Sequence, residues 1–221
     1  MMERFTVRPA SAADVPAILT LIRGIAEYER LSHEVEASEA LLRQHGFGPR
    51  PVFEALLAER IPEGIEEGSD VAQAAGRSRR DQMIKGSDVA PRPEAVSNDP
   101  AGRSRRDQLL EGSGHRAVGF ALYFFTFSTF KARPTLYLED LFVLPGERRH
   151  GVGRRLFAEL AKIAVARECG RMEWSVLDWN TPARDFYFKI GAVPMDEWTV
   201  FRLTPEAFGR LACEAVDPPN A

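Results

Sequence analysis

Arg148-Arg149-His150-Gly151-Val152-Gly153 stands between an apolar, strand-like run over residues 136–144 and a helix-like run over residues 153–168. A glycine turn that leads from a strand into a helix is suited to holding an anion. Gly151 and Gly153 lack the β-carbon that bars positive φ and close ligand approach. Several backbone N–H groups can therefore converge at a helix N-terminus, where the helix dipole adds its attraction.

Upstream of this turn, the aromatic-rich residues 117–127 and residues 135–143 are joined by a polar, Pro-containing turn at 128–134, which predicts adjacent antiparallel strands. Downstream, Leu156, Leu160, Ile163 and Ala164 make an apolar helix stripe, with Gly170 as its closing residue. Residues 172–177 read as a strand. Residues 178–182 then cap a short helix over 183–190 closed by Gly191, and a last strand is expected over 197–203. Toward the N-terminus, Phe5 to Pro9 is a short strand, and residues 11–14 offer caps for a helix with Ile18, Leu21, Ile22 and Ile25 on one face, running to Tyr28-Glu29. A second helix over 38–45 and a strand over 53–58 follow.

A chain of 221 residues that is 44% hydrophobic and 28% charged can bury one good core. Its net charge of −3 and pI near 5.9 oppose a main role in non-specific nucleic-acid or membrane binding, which requires a basic surplus. No apolar run reaches the roughly 20 residues of a membrane span, and Met1 to Arg8 shows no basic segment followed by an apolar core, so neither secretion nor membrane insertion is expected. Cys169 and Cys213 have neither metal-ligand nor CxxC spacing, so no metal site is expected and a reducing cytoplasm fits.

Residues 61–115 change character to Gly, Ser, Pro, Arg and Asp, with few large apolar residues for a core. They read as a disordered insertion within a single domain formed by residues 1–60 and 116–205, with 206–221 as a tail. Gly76-Arg-Ser-Arg-Arg-Asp-Gln82 recurs as Gly102-Arg-Ser-Arg-Arg-Asp-Gln108, and Gly68-Ser-Asp-Val-Ala72 recurs as Gly86-Ser-Asp-Val-Ala90. The copies are shuffled and unequally spaced, so duplication of coding sequence accounts for them better than a solenoid.

With these elements placed, Arg148-x-x-Gly151-x-Gly153 resembles the pyrophosphate loop of the GNAT acetyltransferases. The likeness covers nearly all the chain outside the insertion and is nearest to the spermidine/spermine and thialysine N-ε-acetyltransferase group. It is carried by Phe5 to Ala10, Leu136-Tyr-Leu-Glu-Asp140, the glycine loop, and Trp179-Asn180 with Phe186-Tyr187. The resemblance implies an α/β (α+β) fold with a central, mostly antiparallel twisted mixed sheet flanked by helices, a homodimer, and acetyl-CoA as donor to a small-molecule amine.

By the same resemblance, Arg148, Arg149, His150, Gly151, Val152, Gly153 and Arg154 hold the pyrophosphate, and the backbone of Leu141, Phe142 and Val143 pairs with the pantetheine arm. Asn180, Thr181, Pro182 and Ala183 match further cofactor contacts, although Asn180 reads equally well as a helix cap. Tyr187 matches the acid that protonates the leaving thiolate, and Glu139 the carboxylate that takes the amine's proton. Strand alternation sends Glu139 and Asp140 to opposite faces, and Glu139 is chosen for the cavity. Tyr28 and Glu29 match substrate contacts. The turn Ser128-Thr129-Phe130 lacks the Asp and Trp of polyamine-preferring enzymes and is closer to the thialysine branch, which favours a lysine-like or diamine acceptor over a polycation.

Three other readings compete with this one. A protein or peptide lysine could be the acceptor. A nucleic-acid or partner-binding module could act through residues 77–80 and 103–106, but interspersed aspartates and the absence of aromatics between Ile61 and His115 oppose it. A catalytically silent relative is opposed by the presence of Glu139, Asn180 and Tyr187 together.

Overall fold

The computed structural model describes residues 5–61, 105–112 and 115–214. It resolves into two compact units, residues 1–175 and 176–221, and each is described by itself. The first contains strands β1 (Phe5–Pro9), β2 (Glu54–Arg60), β3 (Glu111–Gly112), β4 (His115–Ser128), β5 (Arg133–Val143) and β6 (Arg171–Trp174). Its helices are α1 (Val15–Glu29), α2 (Glu39–Phe47), α3 (Arg105–Leu110) and α4 (Val152–Ala166). The second unit holds α5 (Thr181–Lys189) and α6 (Pro205–Glu214).

The sheet runs β1-β2-β4-β5-β6, with β3 beside β4; all of its pairs are antiparallel except β5 with β6. β4 and β5 bury alternate and successive apolar side chains, and Phe120, Leu136 and Leu138 are within 2% of complete burial. Val15, Ile18 and Leu21 of α1 join Leu57, Phe120 and Phe142 in one core cluster, so the helix packs by the stripe its sequence presents. α2 starts at Ser38, whose hydroxyl accepts from the Leu41 N–H. The expected mixed, mostly antiparallel sheet with flanking helices is the observed architecture.

Several details differ from the sequence reading. α4 closes on Arg167 and on Glu168, whose φ is 53°; Gly170 instead donates its N–H to Pro134 O at 2.8 Å, where a β-carbon would meet Lys131 at 3.0 Å. Residues 197–203 form no strand: alternating apolar residues supply a face, but no neighbouring strand among the described residues supplies the ladder. The expected tail carries α6. Most of the insertion, including both copies of Gly-Ser-Asp-Val-Ala and the upstream Arg-Ser-Arg-Arg, lies outside the described residues. Its downstream end is folded, because Leu110 is only 2% exposed and packs in the core cluster.

Candidate active site

β5 delivers the chain through a short turn, Pro145–Glu147, to the glycine loop and α4. Gly151 caps the helix at φ 87°, a left-handed conformation that a β-carbon strains, and Arg149 adopts φ 68°. The first intrahelical bond runs from Arg155 N–H to Gly151 O at 3.0 Å, so the N–H groups of Val152, Gly153 and Arg154 have no acceptor within the helix. Gly153 is different: it is helical, and a β-carbon would meet only Leu141 and Val143, at 3.9 and 4.0 Å. The requirement for positive φ expected at both glycines applies to Gly151. Arg149, His150 and Arg154 are exposed around it, while buried Val152 anchors the helix start.

Arg148 turns its guanidinium toward the protein. The group lies 4.5 Å from the Tyr28 ring centroid and 5.6 Å from that of Phe142, and its Nε donates to Val143 O at 3.0 Å. The loop's first residue thereby fastens the end of α1 to the end of β5. Val143, expected to offer its backbone to a ligand, has its carbonyl engaged by this bond.

β6 pairs only with residues 135–138 of β5, so residues 139–143 have no strand partner on that edge among the described residues. On the other edge the β4–β5 register shifts. Leu122 faces Asp140 and Tyr123 faces Leu138, which leaves Glu139 as the extra residue of a bulge. The alternation argument that separated Glu139 from Asp140 fails at this position. Glu139 is exposed and Asp140 half-buried.

Burial pushes the Asp140 carboxyl up to about 6, and the nearby charges of Glu139 and Glu29 push in the same direction. Burial also raises Glu29, at the end of α1. Among the described residues, no ion pair joins these three carboxylates to a cationic side chain. A cation entering the cluster would stabilise all three charges, and a carboxyl titrating near neutrality can accept a proton. Sequence reasoning named Glu29 and Glu139 but set Asp140 aside, and only the bulge reveals its environment.

In the second unit, buried Asn180 caps α5, its Oδ1 accepting from Ala183 N–H at 3.3 Å. Thr181, Pro182 and Ala183 are the helix's first turn, with Thr181 and Pro182 exposed. Tyr187 is half-buried on α5, with its ring centroid 5.6 Å from that of Phe186. Gly191 closes the helix at φ 89°.

The turn Ser128-Thr129-Phe130 joins β4 to β5 at the hairpin end opposite the glycine loop. From Arg133, β5 travels about 20 Å to reach Glu139 at the usual strand rise. Ser128 is buried and takes the Lys131 N–H, whereas Phe130 is 96% exposed. This turn, read from sequence as a determinant of acceptor choice, is remote from the carboxylates within its own chain.

Residues 90–192 match the family described as "Acetyltransferase (GNAT) family". The chain is 32% identical over 209 residues to a thialysine N-epsilon-acetyltransferase of Mus musculus, covering 93% of this chain and 96% of that protein. It is 34% identical over 220 residues to an L-ornithine N5-acetyltransferase of Arabidopsis thaliana, covering 97% and 88%. An integron cassette protein from the mobile metagenome of V. cholerae shares the fold, with a TM-score of 0.58 at 20% identity, covering 96% of this chain and 98% of that one.

Proposed function

The chain belongs to the GNAT acetyltransferase family, and from that membership we propose that it transfers the acetyl group of acetyl-CoA directly to a primary amine of a small lysine-like or diamine substrate. The observation that carries the acceptor class is the group of Glu29, Glu139 and Asp140, gathered without a cationic partner among the described residues. An alkylammonium near pKa ~10.4 supplies that cation on binding and must lose a proton to react.

Acetyl-CoA supplies an activated acyl thioester. The residues present fit it: the N–H groups of Val152, Gly153 and Arg154 face no helical acceptor, Arg149 and His150 flank them beside Gly151, and β5 at residues 141–143 has no strand partner beyond β6 among the described residues, the Val143 carbonyl alone being engaged by Arg148. Asn180, Thr181, Pro182 and Ala183 offer a second helix start. Arg148 positions the loop through Tyr28 and Val143. Tyr187 holds a proton at its Oη for the departing sulfur. Glu139 takes the amine's proton, and the raised Asp140 carboxyl beside it favours a second assignment in which Asp140 shares that role.

A homodimer accords with the second unit's exposed apolar residues, among them Val193, Trp198, Val200 and Phe201, the last 90% exposed. A cytoplasmic setting accords with Cys169 and Cys213 both being free thiols. Thiol release from acetyl-CoA against thialysine, lysine, ornithine, putrescine, spermidine and a lysine peptide tests the acceptor. Turnover with the small amines is expected, and turnover with the peptide alone would overturn the small-molecule reading.

A further inference from the structure

Arg148 joins the glycine loop to the two elements that carry the carboxylates. Its backbone is fixed upstream, where Glu147 is buried and paired with Arg60, and where the Arg148 N–H donates to Pro145 O at 3.4 Å. Downstream the chain opens at once into the exposed loop, through Arg149 at φ 68° and Gly151 at φ 87°. The side chain leaves the loop altogether. Its guanidinium lies 4.5 Å from the Tyr28 ring centroid and 5.6 Å from that of Phe142, while Nε donates to Val143 O at 3.0 Å.

Tyr28 precedes Glu29 in the last turn of α1, which stops at Arg30 in a left-handed conformation, φ 63°. Phe142 and Val143 follow Glu139 and Asp140 on the stretch of β5 that has no partner on the β6 side among the described residues. Phe142 belongs to the core cluster and Tyr28 packs against it, so the guanidinium rests on one fixed ring and one peripheral ring. The planar fork of an arginine can bond a carbonyl through Nε and still lay its face on an aromatic ring. A lysine ammonium is a point charge and cannot hold both.

Given the proposed acceptor site, we infer that Arg148 couples the donor and acceptor sites, so that an anion held at the glycine loop strengthens the hold of Glu29, Glu139 and Asp140 on the amine. An anion on the N–H groups of Val152, Gly153 and Arg154 orders the exposed residues 149–151 beside them. That ordering fixes the base of the Arg148 side chain, and through its contacts the end of α1 and the edge of β5. Conformational freedom given up to the first ligand is not given up again to the second, which makes their binding cooperative. Coupling between two sites amounts to about 5- to 150-fold in affinity and is equal in both directions.

Calorimetry of the full chain with CoA, which has no acetyl group to transfer, and with thialysine or ornithine measures the coupling. Saturating CoA lowers the amine's dissociation constant on the order of tenfold, and saturating amine lowers that of CoA by the same factor. In Arg148→Lys, which keeps the charge, and in Arg148→Met, which keeps much of the packing, both ratios fall to near one. Tyr28→Leu does the same, and adding it to Arg148→Met has no further effect. A ratio near one in the unaltered chain overturns the inference. So does a ratio that survives Arg148→Met, since contact between the two ligands then suffices. A second measurement needs no amine: CoA alone slows hydrogen exchange over residues 26–31 in the unaltered chain and not in Arg148→Met. Exchange there that ignores CoA overturns the inference and leaves the acceptor reading standing. If neither amine binds with or without CoA, the acceptor reading falls and the inference falls with it.

Discussion

On the first two strands, Arg8 donates to Asp14 at 2.8 Å and to Glu59 at 2.6 Å, and Arg60 of β2 pairs with buried Glu147. At the end of α1 and the bulge of β5, by contrast, Glu29, Glu139 and Asp140 gather with no cationic partner among the described residues. The two groups titrate in opposite directions. Hydrogen bonding from Arg8 holds the Asp14 carboxyl down at about 2, whereas burial holds Asp140 up at about 6. The first group is electrostatically complete and serves the fold. The second carries a folding cost from like-signed, partly buried carboxylates, which a bound cation would relieve under the proposed function.

Glu139→Gln lowers turnover on the order of 100-fold near neutral pH and raises the apparent pKa that limits the rate, because only the neighbouring Asp140 carboxyl is then left to take the amine's proton. Asp14→Asn leaves the activity of the folded fraction unchanged. Tyr187→Phe likewise lowers turnover on the order of 100-fold, with the acetyl-CoA dissociation constant unaltered. An unchanged rate across pH would remove its acid role.

Stability against pH separates the two groups by sign. Asp14 is depressed in the fold, so its contribution is present above the unfolded carboxyl's pKa and is lost as pH falls toward about 2. Asp140 is raised, so the folded state binds the extra proton, and stability declines as pH rises from about 4 to about 6. By urea denaturation at pH 7, Asp140→Asn stabilises by on the order of 1–2 kcal/mol. Asp14→Asn destabilises by about 1 kcal/mol, since water screens the partly exposed Arg8 pair. Changes of the same sign would dissolve the distinction between the groups.

The two loop glycines differ by less. Gly151→Ala strains a φ of 87° and costs about 1 kcal/mol, with weaker acetyl-CoA binding by calorimetry. Gly153→Ala places its methyl group in ordinary contact with Leu141 and Val143 and leaves stability within about 0.5 kcal/mol.

Much of this arrangement was legible in the residues. The turn from β5 through Gly151 into α4, the stripe of α1 and the cap at Asn180 each follow from local chemistry, so periodicity and glycine placement sufficed. The bulge at Glu139 depends on register with β4, which no local pattern encodes, and so Asp140 was set aside. Leu110 was hidden because one apolar anchor in a polar stretch has no period. Residues 197–203 misled for the opposite reason: they have a strand's alternation and, among the described residues, no strand to pair with.

Under the proposed function, Glu29, Glu139 and Asp140 together receive the cationic amine. The direct measurement is kcat/KM for a lysine-like amine in Glu29→Gln/Glu139→Gln/Asp140→Asn, taken alongside the acetyl-CoA dissociation constant of the same protein. A fall on the order of 100-fold or more in kcat/KM with donor affinity unchanged is expected. A kcat/KM equal to that of the unaltered chain, or donor affinity lost in proportion, would contradict that role for the three carboxylates.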